Sequence, residues 1–234
     1  MKTILFDLDG TLLPMDQKQF EEAYFTSLGR YMVPCGFEFE SIRRNIWKGT
    51  YAMYANDGTR TNEQAFWETF DALTGRGSEE DQDLFLEYYR TDFNKTKEAT
   101  GFTPEALKIV MDLKLAGYDV ALATNPLFPE IATNARIRWA GLEPSDFLLV
   151  TTYENCSSCK PNPMYFQEVC AMLDVAPADC IMIGNDTTED LAAAELGTDV
   201  FLVTDCLENK KEIDISDVPH GSWPELRQYL NLTD

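Results

Sequence analysis

The chain alternates between short apolar segments and longer segments in which apolar residues repeat with the period of a helix. The apolar segments are continuous and partly β-branched, which is typical of strands buried on both faces of a parallel sheet. They lie at residues 3–7, 118–123, 147–150, 180–183 and 200–203. The helical patterns between them cover residues 103–116, 129–140, 162–174 and 188–196. This spacing is that of βαβ units, and it predicts an α/β fold with a doubly wound, Rossmann-like parallel sheet.

Residues 16–94 interrupt this alternation, because they contain helical patterns and no convincing strand. Within them, Thr61 and Gln64 have the spacing of a capping box and predict the start of a helix. We therefore expect two domains. An α/β core domain comprises residues 1–15 and 95–234, and an α-helical cap domain of residues 16–94 is inserted into it.

Length, charge and the single histidine restrict the class of protein. At about 150 residues per domain, 234 residues suggest roughly one and a half domains, and an apolar content of 44% can build a substantial core. The formal charge is 19 − 40 = −21, which repels phosphate backbones and anionic lipids, so we expect neither a nucleic-acid nor a membrane partner. His220 is the only histidine, which excludes zinc sites that need two or more imidazoles.

The apolar runs and the cysteines indicate a cytoplasmic protein. No uninterrupted apolar run exceeds five residues, and Asp7 interrupts the N-terminal segment too early for a signal peptide. The six cysteines are scattered, as expected for reduced thiols. We interpret Cys156 and Cys159 as incidental thiols, because zinc would need four ligands and this Cys-x-x-Cys pair runs into a loop. The sequence leaves a monomer and a homodimer both open.

Polar residues just after the predicted strands define a candidate site. In an open parallel sheet, ligands bind outside the carboxyl ends of the strands. The residues at these ends are mainly carboxylates, with one hydroxyl and one ammonium group: Asp7, Asp9, Thr124, Asn125, Lys160, Asp186 and Asp190. This set suits phosphoryl transfer by a carboxylate nucleophile with the help of a metal ion.

The strand-end motifs resemble, in order and spacing, those of the haloacid dehalogenase (HAD) superfamily of phosphohydrolases. The matching motifs are Asp7-Leu-Asp9-Gly10-Thr11, Thr124, Lys160 and Asp186-x-x-x-Asp190. The helical insert after the first motif is similar to the C1-type cap of that family. The resemblance implies an Mg²⁺-dependent phosphomonoesterase that acts on a small phosphorylated metabolite.

The resemblance also implies roles for individual residues. Asp7 is expected to attack phosphorus and form an aspartyl-phosphate, and Asp9 to protonate the leaving alcohol and later activate water. Mg²⁺ is expected to bind the Asp7 carboxylate, the Asp9 backbone carbonyl and the Asp186 carboxylate.

Four further residues are expected to support this reaction. Thr124 and the backbone N–H groups beside Asn125 should hold the phosphoryl oxygens. Lys160 should supply a fixed positive charge and orient the nucleophile, and Asp190 should support Lys160 or a metal-bound water.

Two alternative functions stay open at this point. A phosphosugar mutase also uses both Asp7 and Asp9, and a non-catalytic signalling module could be phosphorylated on Asp7. Candidates for substrate contact in the cap are Arg43, Arg44, Trp47, Lys48, Tyr51 and Tyr54. The same spacing also fits a solvated charge ladder and a packed aromatic core, in which case these residues would not contact substrate.

Overall fold

The strands of this protein form one parallel sheet in the computed structural model, which describes residues 2–232. They are β1 (Thr3–Phe6), β2 (Val120–Leu122), β3 (Cys180–Gly184), β4 (Asp199–Val203) and β5 (His220–Gly221). Their order in the sheet is β2-β1-β3-β4-β5. Ile4 and Phe6 pack into one apolar cluster and Leu5 into another, so both faces of the sheet are covered. The predicted α/β fold is therefore confirmed, and the double coverage explains why β1 is uninterruptedly apolar.

Residues 16–100, which lie between β1 and β2, form a helical segment. It contains α1 (Gln17–Met32), α2 (Phe39–Tyr54), α3 (Asn62–Thr74), α4 (Glu79–Arg90) and a 3₁₀ segment, Asp92–Ala99. The capping box at the start of α3 is confirmed, because the Thr61 hydroxyl accepts the N–H of Gln64 and the Gln64 side chain accepts the N–H of Thr61. Gly49 in α2 allows α3 to pack closely against it. A Cβ atom at position 49 would lie 2.6 Å from the ring of Phe66 in α3, so a larger residue would not fit there.

The two chain segments that connect these helices to the sheet lie side by side. The N–H of Gly101 donates to the carbonyl of Pro14 at 2.6 Å, and Met15 forms an antiparallel bridge with Thr100. The helical segment therefore begins and ends at the same place, as an inserted unit must. The division into a core and a cap domain at the boundaries given above stays a prediction.

Four further helices cover the sheet: α5 (Pro104–Leu115), α6 (Glu130–Trp139), α7 (Pro163–Leu173) and α8 (Trp223–Tyr229). Buried residues of α5, α6 and α8 belong to the cluster on one face, and those of α7 to the cluster on the other. This is the doubly wound arrangement that the sequence predicts. Within residues 2–232, no helix is long and apolar enough to cross a membrane.

The prediction of a strand at residues 147–150 is wrong in detail. The segment lies beside β2, but it makes only one isolated parallel bridge, between Val150 and Leu122. Leu148 is 67% exposed there. Backbone hydrogen bonds still join the segment to β2, from the N–H of Leu148 to the carbonyl of Val120 and from the N–H of Leu122 to the carbonyl of Leu149, but they do not extend into a regular strand.

The helix predicted at residues 188–196 is shorter and of a different type, a 3₁₀ helix over Leu191–Leu196. The N–H groups of Thr188 and Glu189 donate to the carboxylate of Asp186. These residues form a turn capped by Asp186, and the 3₁₀ helix begins only after that turn.

Candidate active site

The predicted functional residues follow the carboxyl ends of the strands, at one edge of the sheet. Phe6 in β1 is opposite Ile183 in β3, and the N–H of Asp7 donates to the carbonyl of Ile183 at 2.9 Å. On the other side of β1, the N–H of Ala123 donates to the carbonyl of Phe6 at 2.7 Å. Asp7, Thr124 and the loop after β3 therefore begin at the same level, at the carboxyl ends of three adjacent strands.

Lys160 joins Asp7 and Asp190 in a buried chain of charges. Its Nζ lies 2.8 Å from Asp7 Oδ1 and 2.6 Å from Asp190 Oδ1. The lysine side chain is fully buried, so its charge depends on these two partners. Burial alone lowers the pKa of Lys160, but the charges of Asp190 and Asp7 outweigh it and raise that pKa well above its ordinary value. Lys160 therefore stays positively charged at neutral pH.

Asp7 has one oxygen fixed and the other weakly held. Oδ1 accepts the lysine hydrogen bond, whereas Oδ2 is 3.4 Å from the hydroxyl of Thr11. Burial raises the pKa of Asp7 to about 8; Lys160 opposes the rise, and Asp190 and Asp9 add to it. A positive charge in the adjacent cavity would lower this pKa and favour the carboxylate.

Asp9 is paired with Arg136, which is not among the functional residues predicted from the sequence. Arg136 lies on α6, is 1% exposed and donates from its guanidinium to Asp9 Oδ2. The guanidinium also lies 4.4 Å from the ring centre of Phe128 and donates to the hydroxyl of Thr133 at 3.3 Å. The second oxygen, Asp9 Oδ1, is buried and has no hydrogen-bond partner in the described part of the chain. Asp9 is therefore oriented through Oδ2, whereas Oδ1 is buried without a partner among the described residues.

A signal for Arg136 is present in the sequence. Arg136 is four residues from both Ala132 and Ala140, on the apolar stripe of the predicted helix. An arginine on a buried helix face needs a buried acid as partner.

Backbone N–H groups hold the acidic loop after β3. Asp190 Oδ2 accepts the N–H groups of Asn185 and Asp186 at 2.9 and 3.0 Å. Asp186 Oδ1 accepts those of Thr188 and Glu189 at 2.6 and 2.9 Å. Two backbone donors therefore hold each carboxylate in one orientation, and Lys160 is a third donor to Asp190.

Asn125 links this edge of the sheet to the helical segment. Its Nδ2 donates to the Tyr54 hydroxyl at 3.3 Å and to the carbonyl of Lys160 at 3.4 Å. The Tyr54 hydroxyl in turn donates to Glu189 at 3.4 Å. Burial raises the pKa of Glu189 to about 7, although Lys160 lowers it. Glu189 is likewise not among the residues predicted from the sequence.

The site opens into a cavity of about 340 Å³. One end has polar walls formed by residues at the sheet edge: Asp7, Asp9, Thr124, Asn125, Asp186, Glu189, Asp190 and Glu208. The other end is enclosed by aromatic side chains, most of them from α1 to α4. Of the six cap candidates, only Trp47 and Tyr54 line the cavity.

The charge of the cavity wall fits a bound divalent cation. Seven carboxyl residues line it, against one cationic residue in the described part of the chain, Lys210, which pairs with Glu208 at 3.1 Å. The ligands implied by the resemblance are two carboxylates and one backbone carbonyl, from Asp7, Asp186 and Asp9, and these are oxygens of the kind that Mg²⁺ prefers. No group of three acidic, cysteine or histidine side chains in the described residues is arranged to hold a metal by itself. The implied set includes only two side chains, so it is compatible with that finding.

Cys156 and Cys159 are packed inside the loop that leads to Lys160. Both thiols are buried, and burial raises the pKa of each. The side-chain amide of Asn62 donates to Cys159 Sγ at 3.3 Å. These contacts describe packed, protonated thiols.

Comparison with known proteins connects this geometry to a family. A sequence model of haloacid dehalogenase-like hydrolases matches residues 1–197. The chain is 26% identical over 210 residues to the phosphoglycolate phosphatase of Nitrosospira multiformis, covering 87% of this chain and 83% of that one. It is 24% identical over 195 residues to the pyrophosphatase PpaX of Bacillus velezensis, covering 83% and 79%. The crystal structure of a HAD phosphatase from Thermococcus onnurineus shares the fold, with a TM-score of 0.60 and 20% identity over 99% of both chains.

Proposed function

Because the chain belongs to the haloacid dehalogenase-like hydrolases, we propose that it is an Mg²⁺-dependent phosphatase that hydrolyses a small phosphate monoester through an aspartyl-phosphate on Asp7. The observation that carries the proposal is the buried chain from Asp7 through Lys160 to Asp190, which opens into the cavity. The names of the relatives, a phosphoglycolate phosphatase and a pyrophosphatase, support phosphoryl chemistry.

Asp7 acts as the nucleophile. Lys160 holds Oδ1, so the weakly held Oδ2 is the atom that attacks. A bond forms between Oδ2 and phosphorus, and the bond between phosphorus and the alcohol oxygen breaks. In the second step water attacks the same phosphorus, and Asp7 leaves as a free carboxylate.

Asp9 moves the proton in both steps. In the first step it donates a proton to the alcohol oxygen as that oxygen leaves, and in the second it takes one from the attacking water. Arg136 holds Oδ2 of Asp9, which leaves Oδ1 to make the transfer. Arg136 is therefore a positioning residue.

The remaining residues bind charge. Lys160, Thr124 and the N–H groups beside Asn125 offer positive charge and donors to the phosphoryl oxygens. Asp7, the carbonyl of Asp9 and Asp186 would hold Mg²⁺. When bound, the ion supplies the positive charge that keeps the nucleophile ionised and offsets its repulsion from the phosphate.

The test is a phosphate-release assay over a panel of monoesters with Mg²⁺ and then with EDTA. Asp7→Asn should abolish release while the circular dichroism spectrum stays native. Mass spectrometry of acid-quenched wild-type protein should find one phosphoryl group on the Asp7 peptide. Appreciable release by Asp7→Asn would contradict the role of Asp7.

Two other outcomes would favour the alternatives. Transfer of phosphate between sugar phosphates in place of release to water would indicate a mutase. A long-lived phosphoprotein with no turnover would indicate a signalling module.

The metal ligand from the loop after β3 can be tested separately. Asp186→Ala should raise the Mg²⁺ concentration needed for half-maximal activity by about tenfold or more, because one of two carboxylate ligands is lost. The exposed Asp205→Ala serves as control and should not change that concentration. An unchanged Mg²⁺ requirement in Asp186→Ala would remove Asp186 from the ligand set.

A further inference from the structure

The end of the cavity away from the sheet is built from aromatic side chains. Each of the helices α1 to α4 contributes to it, including Tyr24, Phe25, Trp47, Phe66, Trp67 and Phe85. We propose that the substrate is a phosphate monoester of an uncharged alcohol that carries an aromatic or similarly bulky apolar group, and that this group occupies the aromatic end. The inference rests on the proposed phosphatase function and adds the chemical class of the alcohol.

The polar atoms of this wall are paired with one another. The hydroxyl groups of Tyr24 and Tyr89 are 3.0 Å apart, and Trp67 Nε1 donates to the Tyr153 hydroxyl at 3.4 Å. The wall therefore presents ring surfaces to a ligand and few free donors or acceptors. A polyhydroxylated sugar would lose its hydrogen bonds to water there without replacing them.

The charges around this end disfavour a second anionic group on the substrate. In the described part of the chain, Glu21 is the one charged residue that α1 to α4 contribute to the cavity wall. The nearby Arg43 is not part of the wall; it pairs with Glu21 at 3.8 Å and lies over the ring of Phe25. A carboxylate or second phosphate at this end would therefore face Glu21, and in the described part of the chain no cationic residue of α1 to α4 lines the wall to pair with it.

The size of the cavity is sufficient for such a ligand. Its 340 Å³ lies within the roughly 300–1,000 Å³ usual for small-molecule pockets. Aromatic contacts at right angles, such as Trp67 with Phe85 at 5.3 Å, give the wall a fixed shape. A phenyl group buried against it should improve kcat/KM by about a hundredfold.

The first experiment compares wild-type kcat/KM for 2-phenylethyl phosphate, ethyl phosphate and phosphoglycolate in the presence of Mg²⁺. The first two alcohols have similar acidity, so their ratio reports binding of the ring and not the quality of the leaving group. We expect the phenylethyl ester to exceed the ethyl ester by about a hundredfold, and phosphoglycolate to be no better than the ethyl ester. Equal values for the first two esters, or a preference for phosphoglycolate, would overturn the inference.

The second experiment fills the cavity from α2. Thr50 lines the cavity one helical turn from both Ile46 and Tyr54, and it is only half-buried, so it can accept a larger side chain. Thr50→Trp should reduce the phenylethyl-to-ethyl ratio at least about tenfold. Thr50→Val, which removes the hydroxyl without adding volume, is the matched control and should keep the wild-type ratio. An unchanged ratio in a folded Thr50→Trp protein would count against the aromatic end as the binding site.

A binding measurement separates failure of this inference from failure of the proposed function. Calorimetry with the non-hydrolysable 2-phenylethylphosphonate and phosphonoacetate needs no turnover. If no ester is hydrolysed, the phosphatase proposal fails, and tighter binding of the phenylethyl compound would still support an apolar subsite. If turnover is observed and the two compounds bind equally, the phosphatase proposal stands and the substrate class is wrong.

Discussion

Replacing Arg136 with Met tests whether the buried guanidinium holds Asp9 in place. Met has an unbranched apolar side chain, so the substitution removes the charge and keeps most of the packing. The lost contacts are the ion pair with Asp9, the 3.3 Å hydrogen bond to Thr133 and the stacking 4.4 Å from the centre of the Phe128 ring. Both stability and proton transfer should therefore change.

The free energy of unfolding should fall by about 3 kcal/mol, since removing one partner of a buried ion pair costs about 3–5 kcal/mol. Two observations favour the lower end of that range. The Asp9 side chain is 18% exposed, so water in the cavity can solvate its charge. Arg136 Nε has no hydrogen-bond partner in residues 2–232, so the substitution also removes one unsatisfied donor.

Urea unfolding measures the stability change, and kcat for an alkyl and an aryl phosphate measures the placement of Asp9. An alkoxide needs a proton to leave, whereas an aryl oxide leaves readily without one. Arg136→Met should therefore lose about tenfold to a hundredfold on the alkyl ester and about threefold or less on the aryl ester.

Arg138→Met is the matched control on the same helix. Arg138 pairs with Glu143 at 3.0 Å, but both side chains are more than half exposed, so its removal should cost less than about 1 kcal/mol. Equal losses on the two esters in Arg136→Met would refute the positioning of Asp9. A stability within about 0.5 kcal/mol of that of the control would refute the energetic argument.

Three further predictions concern the same edge of the sheet. Asp190→Asn should lower the free energy of unfolding by about 2 kcal/mol in a urea titration, because the buried lysine loses a carboxylate. The control Glu195→Gln, at an exposed position, should change it by less than about 0.5 kcal/mol. Similar losses in both variants would argue against the buried chain of Asp7, Lys160 and Asp190. Gly10 and Gly197 both have a left-handed φ, +85° and +82°, but only at Gly10 would a Cβ atom lie 2.3 Å from the Asn185 side chain. Gly10→Ala should therefore destabilise the protein by at least about 1 kcal/mol more than Gly197→Ala, and equal melting temperatures would exclude the clash. Treatment with EDTA should abolish phosphate release and added Mg²⁺ should restore it, so full activity in EDTA would contradict the metal requirement.

The sheet and its order of motifs were predictable because their signals are local. A strand buried on both faces must be apolar at every position, and this holds for Ile4, Leu5 and Phe6. The start of α3 was predictable for the same reason, since the capping box joins residues three apart in the chain. The irregular edge at residues 147–150 was not, because its apolar composition does not reveal which side faces solvent.

By itself, the sequence determined the fold class and the inserted helices through the periodicity of its apolar residues. It also determined which side chains follow the strand ends, since parallel pairing brings those positions to one edge of the sheet. The contacts of Lys160 with Asp7 and Asp190 are those that the family resemblance implies. Only the tertiary structure decided that the partner of Asp9 is Arg136, 127 positions further along the chain. The aromatic shape of the cavity likewise depends on how four helices pack against one another. Such contacts depend on burial and on the exclusion of water, which are properties of the packed molecule and not of neighbouring residues in the chain.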